Sequence, residues 1–222
     1  KVCWVIGVGK GIGAACMRRW VKSGFKVAIS ARTREKVEDF AKEDPAIKGY
    51  PADVTDPGSL AAAVGNIEAE LGPIHTVVYN AGSGVWKSYR ELSLEDLDRS
   101  IRTNTHGLLA VAKLVCPKME AAGEGVIAIT GATSAWRGKP KTPAFAAAKA
   151  SQKMLAQGIA KDVGPKGVHV FYVVVDGSVD PSGSADSRLS ADAIAQTFHD
   201  IAHQPRSCWT FEIDIRPCVE PW

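Results

Sequence analysis

The densest chemistry in this 222-residue chain lies at its start, in Ile6-Gly7-Val8-Gly9-Lys10-Gly11-Ile12-Gly13-Ala14. Glycines at 7, 9, 11 and 13 clear side chains from a strand-to-helix turn. A pyrophosphate can then approach the backbone and meet the N–H groups and positive end of the next helix. A plain tight turn explains one or two glycines, not four in seven residues. A dinucleotide site needs a second determinant at the end of the following strand. There the segment reads Ala28-Ile29-Ser30-Ala31-Arg32-Thr33, with no acid before Glu35 to take the ribose hydroxyls of NAD. Arg32 is placed to pair a 2′-phosphate, with Lys10 as a second cation, which favours NADP(H) over NAD(H). A solvated surface charge is the alternative for Arg32.

Other reactive residues fall on segments that follow strands. Trp86 lies just beyond Asn80-Ala81-Gly82, and Trp136-Arg137 follows a later apolar run. Both sit on loops expected to ring the carboxyl edge of a sheet, where they form an apolar wall with one cation or, equally, plug the core. Asp176 and Asp180 are the nearest acids, although capping and turn roles explain them as well. His199 and His203 stand i, i+4 on an expected helix. Asp200-Ile201-Ala202 between them lacks the metalloprotease Glu, and no third ligand is evident, so a surface pair is expected. Ser182, Ser184 and Ser187 sit in no G-x-S-x-G elbow, which leaves serine hydrolysis without support. Cys3, Cys16, Cys116, Cys208 and Cys218 include no C-x-x-C pair, so reduced, mostly buried thiols are expected.

These residues need a scaffold, and alternation along the chain supplies one. Short β-branched runs read as strands: Val2 to Gly7, Lys26 to Ser30, Ile47 to Ala52, Thr76 to Asn80, Gly125 to Thr130, Val168 to Val175 and Thr210 to Ile215. Helical segments lie between them. They run from Gly13 to Ser23, from Asp56-Pro57 to Leu71, from Ser93 toward Met119, from Thr142-Pro143 to Gly164-Pro165, and from Ala191 to His203. The pattern predicts an α/β fold, a single-domain doubly wound parallel sheet of strand order 3-2-1-4-5-6-7. The interval from Gly177 to Ser190 is short for a substrate region, which implies an open site or an absent lid.

Composition agrees. With 45% hydrophobic residues and 27 basic against 24 acidic side chains, the charge of +3 is scattered, which argues against a nucleic-acid partner. No apolar run reaches the ~18 residues of a membrane helix, and a cytoplasmic protein is expected.

At this point the chain resembles the short-chain dehydrogenase/reductase family over essentially its whole length. The family's spaced glycines match Gly7, Gly11 and Gly13, and its adenine-contacting Asp matches Asp53 in Asp53-Val54. Its Asn-Ala-Gly turn matches Asn80-Ala81-Gly82, its helical Asn matches Asn104, and its active-site Lys matches Lys149. The resemblance implies NADP(H) bound along Gly7 to Gly13, Arg32, Asp53, Val54 and Asn80 to Gly82, with Lys149 holding the nicotinamide ribose. It implies Lys149 and Asn104 as catalytic groups, and a homodimer or homotetramer. The substrate region is expected at Trp86, Trp136, Arg137, Phe145 and Asp176.

The chain departs from the family at the proton donor. The family's Tyr, four residues before the Lys, is Phe145 here, and its Ser, thirteen earlier, is Ala132. No Tyr-x-x-x-Lys occurs anywhere, and Asp176-Gly177 replaces the usual Pro-Gly. Three readings follow. Redox chemistry continues with another proton source, such as Thr133, Ser134 or a water held by Lys149 and Asn104. The acceptor is instead an iminium or polarised C=C, or the pocket assists a cyclisation. Or the fold binds NADP(H) as a sensor or structural subunit.

Overall fold

The computed structural model describes residues 1–182 and 186–220; Ser184 lies outside them. Seven parallel strands form the main sheet. They are β1 (Val2–Ile6), β2 (Lys26–Ser30), β3 (Ile47–Gly49), β4 (Ile74–Tyr79), β5 (Gly125–Ala132), β6 (Val168–Val175) and β9 (Glu212–Ile215), in the order β3-β2-β1-β4-β5-β6-β9. This is the predicted order, with β9 as the expected last strand. The chain winds outward from β1 to β3, then returns through α3 (Pro57–Leu71) to lay β4 on the other side of β1. That reversal opens a crevice beyond the carboxyl ends of β1 and β4.

Period two along β1 decides which face each residue serves. Val2, Trp4 and Ile6 join the core under α3, α5 (Gly107–Ala122) and α6 (Pro143–Val163). Cys3 and Val5 join the core under α1 (Ile12–Lys22), α2 (Arg34–Ala41) and α7 (Ala191–Ala202). Local chemistry starts the helices. Asp56 accepts from Gly58 N with Pro57 in the first turn, Ser93 accepts from Asp96 N, and Ser190 accepts from Ala193 N.

Three features differ from the expected elements. α2 is an additional helix, eight mostly charged residues that bury only Val37, too short and polar to stand out as an apolar segment. The long helix expected from Ser93 runs unbroken to Ala122, but its middle, Arg102–His106, is π-helical and divides it into α4 (Leu94–Ile101) and α5. The interval from Gly177 to Ser190 carries a small parallel ladder, β7 (Val179–Asp180) with β8 (Leu189–Ser190). Among the cysteines, Cys3, Cys16 and Cys116 are buried, whereas Cys208 and Cys218 are exposed. Among the described residues no helix is long and apolar enough to cross a membrane.

One buried hydroxyl ties the first three strands together. Ser30 accepts from Trp4 Nε1 at 2.9 Å and donates to Tyr50 O at 2.6 Å. Ser30→Ala would strand a buried indole N–H and a carbonyl, so it should destabilise the fold by about 1–3 kcal/mol in denaturant unfolding. A loss under about 0.5 kcal/mol would show that the indole N–H finds another partner.

Candidate active site

A cavity of about 440 Å³ occupies the crevice, lined by the glycine loop, residues 30–33, 52–55 and 80–84. Its floor is a close backbone approach. Gly7 has φ +89°, and a Cβ there would lie 2.6 Å from Ala81 N; one on Gly13 would lie 2.7 Å from Gly7 O. The fold itself demands glycine at these two positions. Gly9 and Gly11 are different: neither has positive φ, and a Cβ on Gly11 would meet only Val179 Cγ1, at 3.9 Å. A side chain at 11 would thus meet no tight contact, and its absence leaves the N-terminus of α1 uncovered for a phosphate. On this observation the residues present fit a dinucleotide.

Around the cradle, Asn80 Nδ2 donates to Gly7 O at 2.9 Å, and Asn80 Oδ1 accepts from Thr130 Oγ1 at 2.9 Å. Asp53 accepts from Thr55 N and Oγ1, so its turn is self-braced, and Val54 is buried beside it. Ala81 and Gly82 line the same wall. Arg32 is exposed and lines the cavity; Lys10 is exposed and does not. The second cation is Lys36, whose Nζ lies 3.4 Å from where a Gly9 Cβ would sit. Lys36 escaped the sequence reading because it rides on the missed α2. Its position one helical turn beyond Arg32 was the available signal.

Asn80 and Gly82 are shared with a second cavity of about 540 Å³, lined also by Ile12, Trp86, Thr133, Phe145, Lys149 and Asp176. Phe145 stacks on Trp86 with ring centroids 5.8 Å apart at 24°, and Lys149 Nζ lies 5.8 Å from the Phe145 centroid. Trp86 is 67% exposed and presents a bare aromatic face. Lys149 is 4% exposed, and its Nζ donates to Thr130 O at 2.7 Å and to Gln152 Oε1 at 2.9 Å. Burial pushes its pKa down to about 7. Asn104 sits in the π segment; its Nδ2 donates to Ser83 O and Ser100 O, while its buried Oδ1 has no partner among the described residues.

Asp176 is buried and fully engaged. Its Oδ1 accepts from Thr133 Oγ1 at 2.8 Å, and Oδ2 faces Arg137 at 2.8 Å and Arg216 at 3.2 Å. Arg137 therefore braces Asp176 and does not line the cavity. Trp136 also stays outside it, under Lys153 Nζ at 4.8 Å. His199 bonds to Arg19 and Ser23 and packs on Trp20, with His203 beside it, remote from both cavities.

The short chain dehydrogenase family profile matches residues 1–190. The chain belongs to this family. An uncharacterized oxidoreductase of Staphylococcus haemolyticus is 26% identical over 98% of this chain and 97% of its own length. A short-chain dehydrogenase structure from Rhodopseudomonas palustris superposes with a TM-score of 0.85 at 26% identity, covering 97% of this chain and 98% of its own. A metagenomic short-chain oxidoreductase, solved in complex with NADP, shares the fold with a TM-score of 0.86 at 23% identity, covering 99% and 97%.

Two expectations test this short chain dehydrogenase site. Gly13→Ala should destabilise the fold by about 2–4 kcal/mol in denaturant unfolding, more than Gly11→Ala, whose Cβ meets no tight contact. Equal losses at both positions would remove the distinction between fold glycines and cradle glycines. For the cofactor-free protein, Lys149 binds its proton less tightly folded than unfolded, so stability should rise with pH from about 7 to about 10.5. Lys149→Met should abolish that rise in thermal melts; a parent-like slope would place the titration elsewhere.

Proposed function

We propose that this short chain dehydrogenase is an NADP(H)-dependent oxidoreductase. It transfers hydride to a carbonyl, imine, iminium or polarised C=C of a small apolar molecule, with a non-standard proton donor. The observation that carries the reading is the crevice beyond β1, where Gly7 and Gly9 leave bare backbone beside Arg32, Lys36 and Asn80. The NADP held by the metagenomic relative of the same fold supports it.

In this reading the glycine loop and the N-terminus of α1 take the pyrophosphate, and Arg32 and Lys36 take the 2′-phosphate. Asp53 faces the adenine side, and Asn80 borders the nicotinamide ribose. The bound cofactor supplies hydride. Trp86 and Phe145 form the apolar wall that orients the substrate and excludes water. The wall has no hydroxyl at 145 or 132, and the Thr133 proton is committed to Asp176. A tyrosine general acid of the family type contributes roughly 10²–10⁴ in rate, so ketone reduction here should be slower than with a tyrosine at 145.

Fluorescence titration should show NADPH binding tighter than NADH. Arg32→Ala should weaken NADPH by roughly 10- to 100-fold and leave NADH nearly unchanged, as loss of a charge-assisted pair requires. Equal affinity for both dinucleotides, or binding of neither, would sink the proposal. Phe145→Tyr should raise ketone reduction by roughly 10²-fold if the remaining pocket is competent, measured by NADPH oxidation.

A further inference from the structure

Gln152 belongs to none of the motifs read in the sequence and lines neither cavity, yet its side chain is completely buried. Its Oε1 accepts from Lys149 Nζ at 2.9 Å, and its Nε2 donates to the Asn104 backbone carbonyl at 2.8 Å. One amide thus joins the lysine of α6 to the π-helical segment that carries Asn104. A buried primary amide is costly unless both ends are satisfied, and a leucine would fill similar space without that demand. Packing alone does not account for it.

The geometry points to Gln152 as the positioning residue that makes Lys149 the proton donor of the hydride-transfer reaction, an assignment that rests on the function proposed above. An ammonium carries three N–H groups. Thr130 O takes one and Gln152 Oε1 a second, which leaves the third for the cavity that Lys149 lines. Phe145 offers no oxygen, and the hydroxyl protons of Thr130, Thr133 and Thr142 go to Asn80, Asp176 and Lys139 O, so that Ser134 and Ser178 are the competing hydroxyls at this cavity. With a carbonyl substrate, the carbon takes hydride from a reduced nicotinamide dinucleotide and the oxygen takes the proton from the Lys149 ammonium. The C=O π bond breaks, an alcohol forms, and the neutral amine regains its proton from solvent.

Burial holds Lys149 near neutral pH, where an acid is both charged and ready to donate. The other titratable groups at this cavity are Lys139 before α6, Asp176 after β6 and Glu220 near the C-terminus. Arg137 and Arg216 offset Asp176. On α6 itself Lys153 pairs with Glu212 of β9. From β6, Tyr172 donates to Lys149 O, and burial drives its phenol upward.

The test uses lysine labelled with ¹³C and ¹⁵N in the full chain without cofactor, with Lys149 assigned by the signal lost in Lys149→Met. Gln152→Leu removes an acceptor and should lower the Lys149 midpoint by about one pH unit, and Gln152→Glu adds a carboxylate and should raise it by about one. With NADPH and an accepted substrate, the basic limb of the kcat profile should move in the same order. Gln152→Leu should lose roughly 10- to 100-fold in kcat, with most of it restored in Gln152→Glu. Coincident midpoints in the three proteins overturn the assignment, as does a rate profile indifferent to them. If Gln152→Leu does not fold, an unmoved midpoint in Gln152→Glu is enough to reject it. Should the midpoints separate while NADPH fails to bind, the hold of Gln152 on Lys149 is upheld and the proposed function fails alone.

Discussion

The site depends on one close approach, the backbone after β1 lying against the backbone after β4. Gly7 can adopt φ +89° only without strain because it lacks a Cβ, and its carbonyl is clamped by the Asn80 side chain at 2.9 Å. Gly7 N and Val8 N both donate to Ser30 O, so the same loop is also fastened to β2. Three strand ends are thereby held in one place, and the crevice between them is rigid before any ligand arrives. Side chains from residues far apart in sequence, Arg32, Lys36, Asp53 and Asn80, line it for that reason.

Beyond the crevice, a chain of hydrogen bonds carries the same order into the second cavity. Asn80 receives Thr130, the Thr130 carbonyl receives Lys149, and Lys149 leans on Gln152, which returns to Asn104. Each link is buried or half-buried, where an unmade bond is expensive, so the network fixes one arrangement of polar groups. The π segment belongs to this design. Its extra residue per turn lets Asn104 turn inward, its amide reaching Ser83 and Ser100 while its backbone oxygen meets Gln152.

Charge follows a separate plan. Asp176 stands where its relatives were expected to carry proline, and the structure surrounds it with Thr133, Arg137 and Arg216. A buried carboxylate needs such partners, and the two guanidiniums come from the β5–α6 connection and from the segment after β9. The aromatic pair Trp86 and Phe145 then faces a cavity in which the Thr133 hydroxyl presents lone pairs, its proton held by Asp176.

Much of this was legible in order and spacing. Short continuous apolar runs alternating with segments of helical period gave the elements, because strands covered on both faces are apolar at nearly every position. The glycine loop, Asp53, Asn80, Asn104 and Lys149 announce themselves through local backbone needs or short motifs. The roles of Lys36, Gln152, Arg137 and Trp136 could not be read this way. Lys36 rides on a short polar helix that buries only Val37, and Gln152 ties Lys149 to a carbonyl 48 positions away. Arg137 was drawn inward by a carboxylate and Trp136 outward by a lysine. The sequence by itself determined the elements, their winding and the bare glycine cradle, since these follow from local sterics and hydrophobic period. Only the tertiary structure decided which cation reaches the crevice and how Lys149 and Gln152 are tied to Thr130 and Asn104, since those pairings depend on distances between strands and helices that no spacing along the chain encodes.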